Sequence, residues 1–332
     1  MSNPFELHTP SVFVVGSPFQ AVCAIAAIRN LEIIDYCVVV VQAGRQKKVQ
    51  KVLETNVIKY NVYNFNKYNL IKDLIRILLG RRGRYERIFV GDFCESFMMG
   101  VGLLYAKNDA HCVYLDDGNA MISLFDNSFS GWENKSTRMV YNTLARIKGI
   151  HTLKNFYTIY ADICNPSYYI KQNEIFTAWK SHSNIKERKN IVFVGTNMNS
   201  YCSQLELSIS IYVNWIKDIF CLIRTWYPEE RIVYVPHGAA PNEFEQSMSA
   251  EYGLEINTTD TIVEEYIYNA PWLPVAVIGL CSTALLNVKR LMPSVRVVSF
   301  LKYGKEDAKC IGKYKSIFLY YQNHDIECIE FQ

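Results

Sequence analysis

The chain has 332 residues, half of them hydrophobic, and a formal net charge of +3. The length is about that of two ordinary domains, and the near-balanced charge argues against a dedicated nucleic-acid binder, whose basic face would tilt the total. The ten cysteines include no Cys-x-x-Cys pair, which reads as a reduced, cytosolic protein without disulfides or a structural zinc site.

Ser11-Val12-Phe13-Val14-Val15 opens the pattern as a β-branched strand, after ten residues that lack the basic-then-apolar order of a signal peptide. Ser17 can cap the helix that follows, and Pro18 suits its first turn. A strand is predicted over Tyr36 to Val41, apolar on both faces as buried parallel strands are. A basic helix from Gly44 to about Thr55, a weaker strand over Tyr60 to Phe65 and an amphipathic helix over Asn69 to Leu79 come next. The basic loop Gly80-Arg81-Arg82-Gly83-Arg84 reads either as a solvated turn or as a patch for an anionic acceptor or membrane surface. A strand over Arg87 to Asp92, a helix over Phe97 to Tyr105 and the run Cys112-Val113-Tyr114-Leu115 complete an alternation that predicts a doubly wound parallel sheet. A helical run over Thr137 to Arg146 and a strand over Phe156 to Tyr160 close the first half.

The charged stretch Lys180 to Lys189 reads as a linker, which divides the chain into 1–180, 181–305 and a C-terminal segment, 306–332, expected to pack back on the first domain. A second α/β pattern follows it. Strands are predicted over Asn190 to Val194, Arg231 to Val235, Pro274 to Ile278 and Val295 to Phe300. Helices are predicted over Leu205 to Trp226, Ile262 to Tyr268 and Ala284 to Leu291. The fold class expected is α/β, two Rossmann-like domains facing across a cleft as in GT-B enzymes, a plan shared with some epimerases and binding proteins. No apolar run approaches the ~20 residues that span a bilayer, so the chain is expected in the cytoplasm, at most peripheral to the inner membrane.

Chemistry is expected where strands end, because open α/β sheets bind ligands outside the carboxyl ends of their strands. Asp116-Asp117-Gly118 stops an apolar run with two carboxylates, candidates for acid–base work, although Asp-Asp-Gly is also an ordinary turn. Pro236-His237-Gly238 puts a histidine at a strand end, with a glycine that lets a ligand approach the backbone. Gly279-Leu280-Cys281-Ser282-Thr283 is a strand-to-helix turn with hydroxyls at the helix start, suited to a phosphate or to simple capping. Glu264 and Glu265 open a helix between these turns, as dipole partners or as an acceptor of ribose hydroxyls. The absence of a Walker A loop or a G-x-G-x-x-G fingerprint disfavours ATP hydrolysis and nicotinamide cofactors.

The order strand-Asp-Asp-Gly, strand-Pro-His, then Ser-Thr at a helix start resembles the bacterial lipooligosaccharide and capsule sialyltransferases of glycosyltransferase family 52. Gly16-Ser17-Pro18-Phe19-Gln20 also looks like that family's first strand–helix turn. The resemblance implies an inverting, metal-independent GT-B enzyme with no cofactor, whose donor is CMP-sialic acid or a related CMP-activated ulosonic acid. By this resemblance Asp117 is the base with Asp116 beside it, and His237 is the general acid or phosphate partner. Gly238, Ser282, Thr283, Gly195, Thr196 and Glu264 would hold the donor, and Ser17, Pro18 and Gln20 would lie on the acceptor side. The implied partners are a nucleotide-sugar donor, a lipid-linked or oligosaccharide acceptor carrying galactose, the inner-membrane surface and a second copy of the chain. The sequence departs from the family in two places: Gly238 stands where a proline follows the histidine, and Gly195-Thr196-Asn197-Met198-Asn199 carries no acid. A GT-B enzyme with another nucleotide-sugar donor, or a non-catalytic nucleotide- or glycan-binding protein, are the alternatives.

Overall fold

The computed structural model describes residues 3–41, 46–64, 66–79, 83–116, 118–125, 135–152, 154–163, 165–175, 187–205, 207–237, 243–259, 261–302 and 308–331. It falls into two compact units, Met1–Ile175 and Phe176–Gln332. Each is an all-parallel sheet wrapped by helices, so the fold class is α/β with two Rossmann-like domains, the composition of a GT-B fold.

The first unit runs β1 (Ser11–Val15), α1 (Pro18–Asn30), β2 (Tyr36–Val41), α2 (Gln46–Thr55), β3 (Tyr60–Tyr63), α3 (Lys67–Leu78), β4 (Tyr85–Val90), α4 (Ser96–Tyr105), β5 (Ala106–Tyr114), α5 (Asn119–Phe125), α6 (Lys135–Ile147), β6 (Asn155–Thr158) and β7 (Tyr169–Gln172). The sheet order is β3-β2-β1-β4-β5-β6-β7, every pair parallel. The central strands are apolar on both faces because both faces are covered: Val12 to Val15, Val38 to Val41 and Ile88 to Val90 are buried. Small residues of α4, Gly100 and Gly102 among them, let that helix lie close on the sheet; a Cβ on Gly102 would meet Ile88 at 2.4 Å.

At the amino end of β4 stands a wholly buried arginine. Arg87 donates from Nε to Ser11 Oγ at 2.9 Å, from Nη1 to the carbonyls of Pro4 and Glu6 at 3.0 Å each, and from Nη2 to the Thr9 carbonyl at 3.3 Å. Its guanidinium lies 5.0 Å from the Phe89 ring centroid. Burial lowers its pKa to about 10, so the cation persists at neutral pH. Arg87 thus ties the chain before β1 beneath the sheet, at the end opposite the strand termini that carry chemistry.

The second unit runs β8 (Ile191–Val194), α7 (Met198–Leu205), α8 (Ile209–Trp226), β9 (Ile232–Val235), α9 (Glu243–Tyr252), β10 (Leu254–Ile256), α10 (Val263–Asn269), β11 (Ala276–Leu280), α11 (Thr283–Leu291), β12 (Arg296–Lys302), α12 (Ala308–Gln322) and β13 (Glu327–Phe331). Its order, β10-β9-β8-β11-β12-β13, repeats the plan of the first sheet, again with every pair parallel. Two sequence expectations change here. The helix expected over Leu205 to Trp226 starts four residues later, at Ile209, because Ser208 caps it: the Ser208 hydroxyl accepts from the Ile211 amide at 3.3 Å, and a separate helix, α7, precedes it. The C-terminal segment is part of this unit, since β13 pairs with β12 from Val298↔Glu327 to Lys302↔Phe331. Of the expected linker, residues up to 186 lie outside the described residues, and Arg188 already bridges to Leu273.

Candidate functional site

In a doubly wound sheet the crevice for a ligand opens where the strand order reverses. In the second sheet that point lies between β8 and β11, whose register pairs Val194 with Gly279. On the other side of β8, Val194 pairs with Val235 of β9. The residues just past these three neighbouring strands are Gly195-Thr196, Cys281-Ser282-Thr283 and Pro236-His237. Three sequence-predicted groups, far apart in the chain, thus come to one sheet edge.

Local packing explains each residue. A Cβ on Gly195 would meet the Tyr234 hydroxyl at 2.6 Å and the Val235 carbonyl at 3.0 Å, so only glycine fits. That hydroxyl donates to buried Glu245 Oε1 at 2.9 Å. The Thr196 hydroxyl pairs with that of Tyr212 at 2.6 Å, and burial raises the Tyr212 phenol to about 12, so it stays protonated. The β8 turn is therefore braced from behind. Ser282 is the N-cap of the nine-residue α11, half-buried, yet its side chain makes no capping bond. The Leu285 amide donates instead to the Ser282 carbonyl at 3.0 Å, and the positive end of the α11 dipole faces this edge, which favours an anion. His237 is exposed at the end of β9. Gly238 lies outside the described residues.

Glu264 is not on that exposed edge. It is buried in the first turn of α10, where Asn287 Nδ2 donates to its Oε1 at 2.7 Å. Burial raises its pKa, and Asn287 Oδ1 is buried without a hydrogen-bond partner. A protonated Glu264, or a glutamine, would supply the missing donor. Because the folded pKa is raised, this stabilisation is present below the unfolded carboxyl pKa and is lost as pH rises through the folded value. A Glu264→Gln variant keeps it at all pH. Its Tm is expected to match wild type near pH 4 and to exceed it by roughly 2–4 °C at pH 8, the worth of one buried hydrogen bond. Thermal melts across that range check this; an equal difference at both ends would refute it.

In the first sheet the reversal lies between β1 and β4. Ser17 and Gln20 form a capping box at the start of α1, and Pro18 is buried in its first turn. Gln20 is buried too: its Oε1 accepts from the Gly16 amide at 2.8 Å and the Ser17 amide at 3.1 Å, and it closes on Gly91 past β4. Gln20 and Pro18 therefore build the turn, and Ser17 is the half-buried group of the three.

Asp116 follows β5 and is wholly buried. Its Oδ1 accepts from the Thr158 hydroxyl and from the Ile159 amide at 3.0 Å. Its Oδ2 lies 3.6 Å from Cys23 Sγ of α1 and 3.5 Å from Asn173 Nδ2 beyond β7. A buried carboxyl with this many donors is a fixed structural group, since burial without them would be costly. Asp117 lies outside the described residues; Gly118, with φ of 67°, makes the turn after it in a conformation that favours glycine.

Beside this, a small pocket opens at the ends of β4 and β5, lined by Asp92, Ser96, Tyr114, Arg138 and Asn142 among others. Asp92 Oδ1 accepts from the Cys94 amide at 2.6 Å and the Glu95 amide at 3.0 Å, and burial lowers the Arg138 pKa. Sequence reasoning placed Asp92 inside a strand; the signal that it ends one is Gly91, the same apolar-run-then-acid pattern as at Asp116. Among the described residues no group of three or more His, Cys, Asp or Glu is placed to hold a metal ion.

The chain matches no protein-family model and no curated protein by sequence. Its fold does have solved relatives. The chain is similar in fold to UDP-N-acetylglucosamine 2-epimerases. One such epimerase superposes with a TM-score of 0.53 at 12% identity, covering 96% of this chain and 89% of that one. The S. aureus protein MnaA, in a co-structure with UDP, gives 0.54 at 12% identity, covering 88% of this chain and 79% of that one. The likeness extends over both units and is one of architecture.

Proposed function

We propose that the chain is a nucleotide-sugar-dependent glycosyltransferase of GT-B type that moves a ulosonic acid from its CMP-activated form to a galactose-containing glycan. The observation that carries this is the convergence of Gly195-Thr196, His237 and Ser282-Thr283 past β8, β9 and β11 at the reversal point of the second sheet. The α11 amides and the Ser282 and Thr283 hydroxyls would hold the donor phosphate, and His237 would stabilise or protonate it as negative charge grows on departing CMP. Asp117 would take the proton from the acceptor hydroxyl as that oxygen attacks the anomeric carbon. Asp116, whose oxygens are engaged by Thr158, Ile159, Cys23 and Asn173, is assigned the role of positioning the loop that carries Asp117. The choice of CMP rests on the sialyltransferase-like order of motifs.

A UDP-sugar enzyme is the second reading, favoured by the UDP co-structure of the MnaA neighbour. Ligand-dependent melting separates the two. At a hundred times its Kd, a nucleotide that binds only the folded chain adds about 2.7 kcal/mol of stability. CMP is expected to raise Tm and UDP to leave it unchanged, with acceptor-dependent release of CMP from CMP-N-acetylneuraminic acid in EDTA. Stabilisation by UDP alone would select the second reading, nucleotide binding without turnover under any donor would mean a binding protein, and no effect of either nucleotide would sink the assignment.

A further inference from the structure

We propose that the outer face of α3 is a membrane-docking surface, by which the first unit lies on an anionic phospholipid bilayer. The helix is amphipathic in an unusual sense. Asn66 caps it, its side chain accepting from the Asn69 amide at 2.8 Å, and α3 packs against α4 with Asp73 and Ile77 buried. Its opposite face is apolar and open to solvent. Tyr68 is 86% exposed and Leu79, just past the helix end, 80%; Ile71, Ile75 and Leu78 are exposed between them. These positions recur three and four residues apart, so they form one stripe. A surface helix normally turns such a stripe inward, and contiguous exposed apolar surface marks an interaction site.

Charge selects the occupant. From Lys59 to Arg84 the sequence has seven Lys and Arg residues and one acid, in a chain whose net charge is only +3. The single acid, Asp73, points inward and pairs with Arg76 at 3.5 Å. Lys72 is exposed beside the stripe. An apolar stripe flanked by cations is the composition of a helix that lies in the interface of an anionic bilayer. Arg76 is paired with Asp73 and Arg84 with Asp35 at 2.8 Å, and a second copy docked face to face would set the remaining cations of this stretch, Lys72 among them, against one another. The α6 helix, which also packs on α4, exposes Met139 and Ile147 as well. With 12 residues, α3 is too short to span, and no helix among the described residues is long and apolar enough to cross a membrane.

The inference is independent of the donor and of the reaction. Its test is co-sedimentation of the full chain with phosphatidylcholine vesicles, with and without about one-third phosphatidylglycerol. Binding is expected to be at least about tenfold stronger to the anionic vesicles and to weaken with salt, as surface electrostatics do. A triple variant, Ile71→Ser, Ile75→Ser and Leu78→Ser, should lose binding about tenfold or more while staying folded with a Tm within several degrees of wild type, because half or more of each replaced residue is already in water. Lys72→Glu, which touches no core group, should lose about fivefold or more, the worth of one basic residue at such a surface. No preference for anionic vesicles, or unchanged binding in both variants, would overturn the proposal. So would a concentration-dependent dimer that the triple variant dissociates and that binds no vesicles, which would assign the face to a second copy.

Discussion

An Asp117→Asn variant is expected to turn over donor about a thousandfold more slowly than the wild-type chain, within the range for loss of a general base, and to retain nucleotide-dependent stabilisation. Asp116→Ala is expected to fail differently. Removing that carboxyl strips the Thr158 hydroxyl and the Ile159 amide of a buried acceptor, at about 1–3 kcal/mol for each group left unpaired. Asp116→Ala should therefore unfold at lower denaturant, and any loss of turnover should follow from a displaced loop. Steady-state rates and denaturant titrations on both variants separate the roles. Full turnover in Asp117→Asn would remove the proposed base, and wild-type stability in Asp116→Ala would remove the structural role of its neighbour.

The other large effect is expected at Arg87. An Arg87→Met change keeps much of the apolar stem but leaves the Pro4 carbonyl and the Ser11 hydroxyl oxygen without the guanidinium donor, while the Glu6 and Thr9 carbonyls keep only the Thr9 and Ser11 hydroxyls. A loss of about 2–5 kcal/mol is expected, at about 1–3 kcal/mol for each buried acceptor left without a donor. It should appear as a lower urea midpoint at an unchanged slope, since the surface exposed on unfolding is the same. The residue lies at the amino ends of the strands, so kcat measured on the folded fraction should be unaffected. A midpoint within experimental error of wild type would refute the account.

How much of this could be read in advance depended on the kind of strand. Runs such as Val12 to Val15 and Val38 to Val41 are apolar on both faces, and nothing but a buried parallel strand suits them at that length. Both sheets were therefore legible, and with them the edge that gathers Gly195, His237 and Ser282. Elements whose stability comes from their neighbours were not. Leu254-Glu255-Ile256 is a three-residue strand that exists because Ile232 to Tyr234 offers it a partner, and Glu327-Cys328-Ile329-Glu330-Phe331 has neither the unbroken apolar run of a central strand nor a period-2 alternation. Arg87 reads as an ordinary polar strand start; only the carbonyls folded over it make its burial sensible. The choice between Asp116 and Asp117 was also closed to sequence, because a one-residue change of register exchanges their faces. Asp116 alone can be placed here, and it faces inward.

Asp116 has a consequence for motion. One carboxyl group gathers Cys23 from α1, Thr158 and Ile159 at the end of β6, and Asn173 beyond β7. None of these segments can open to solvent alone without leaving a buried polar atom stranded. Local fluctuation at this edge therefore resembles a latch with several tongues rather than independent loops, and the segments share one opening free energy, drawn from the stable end of the molecule's range. The end of β5 is thus anchored to a block that breathes as a whole or hardly at all.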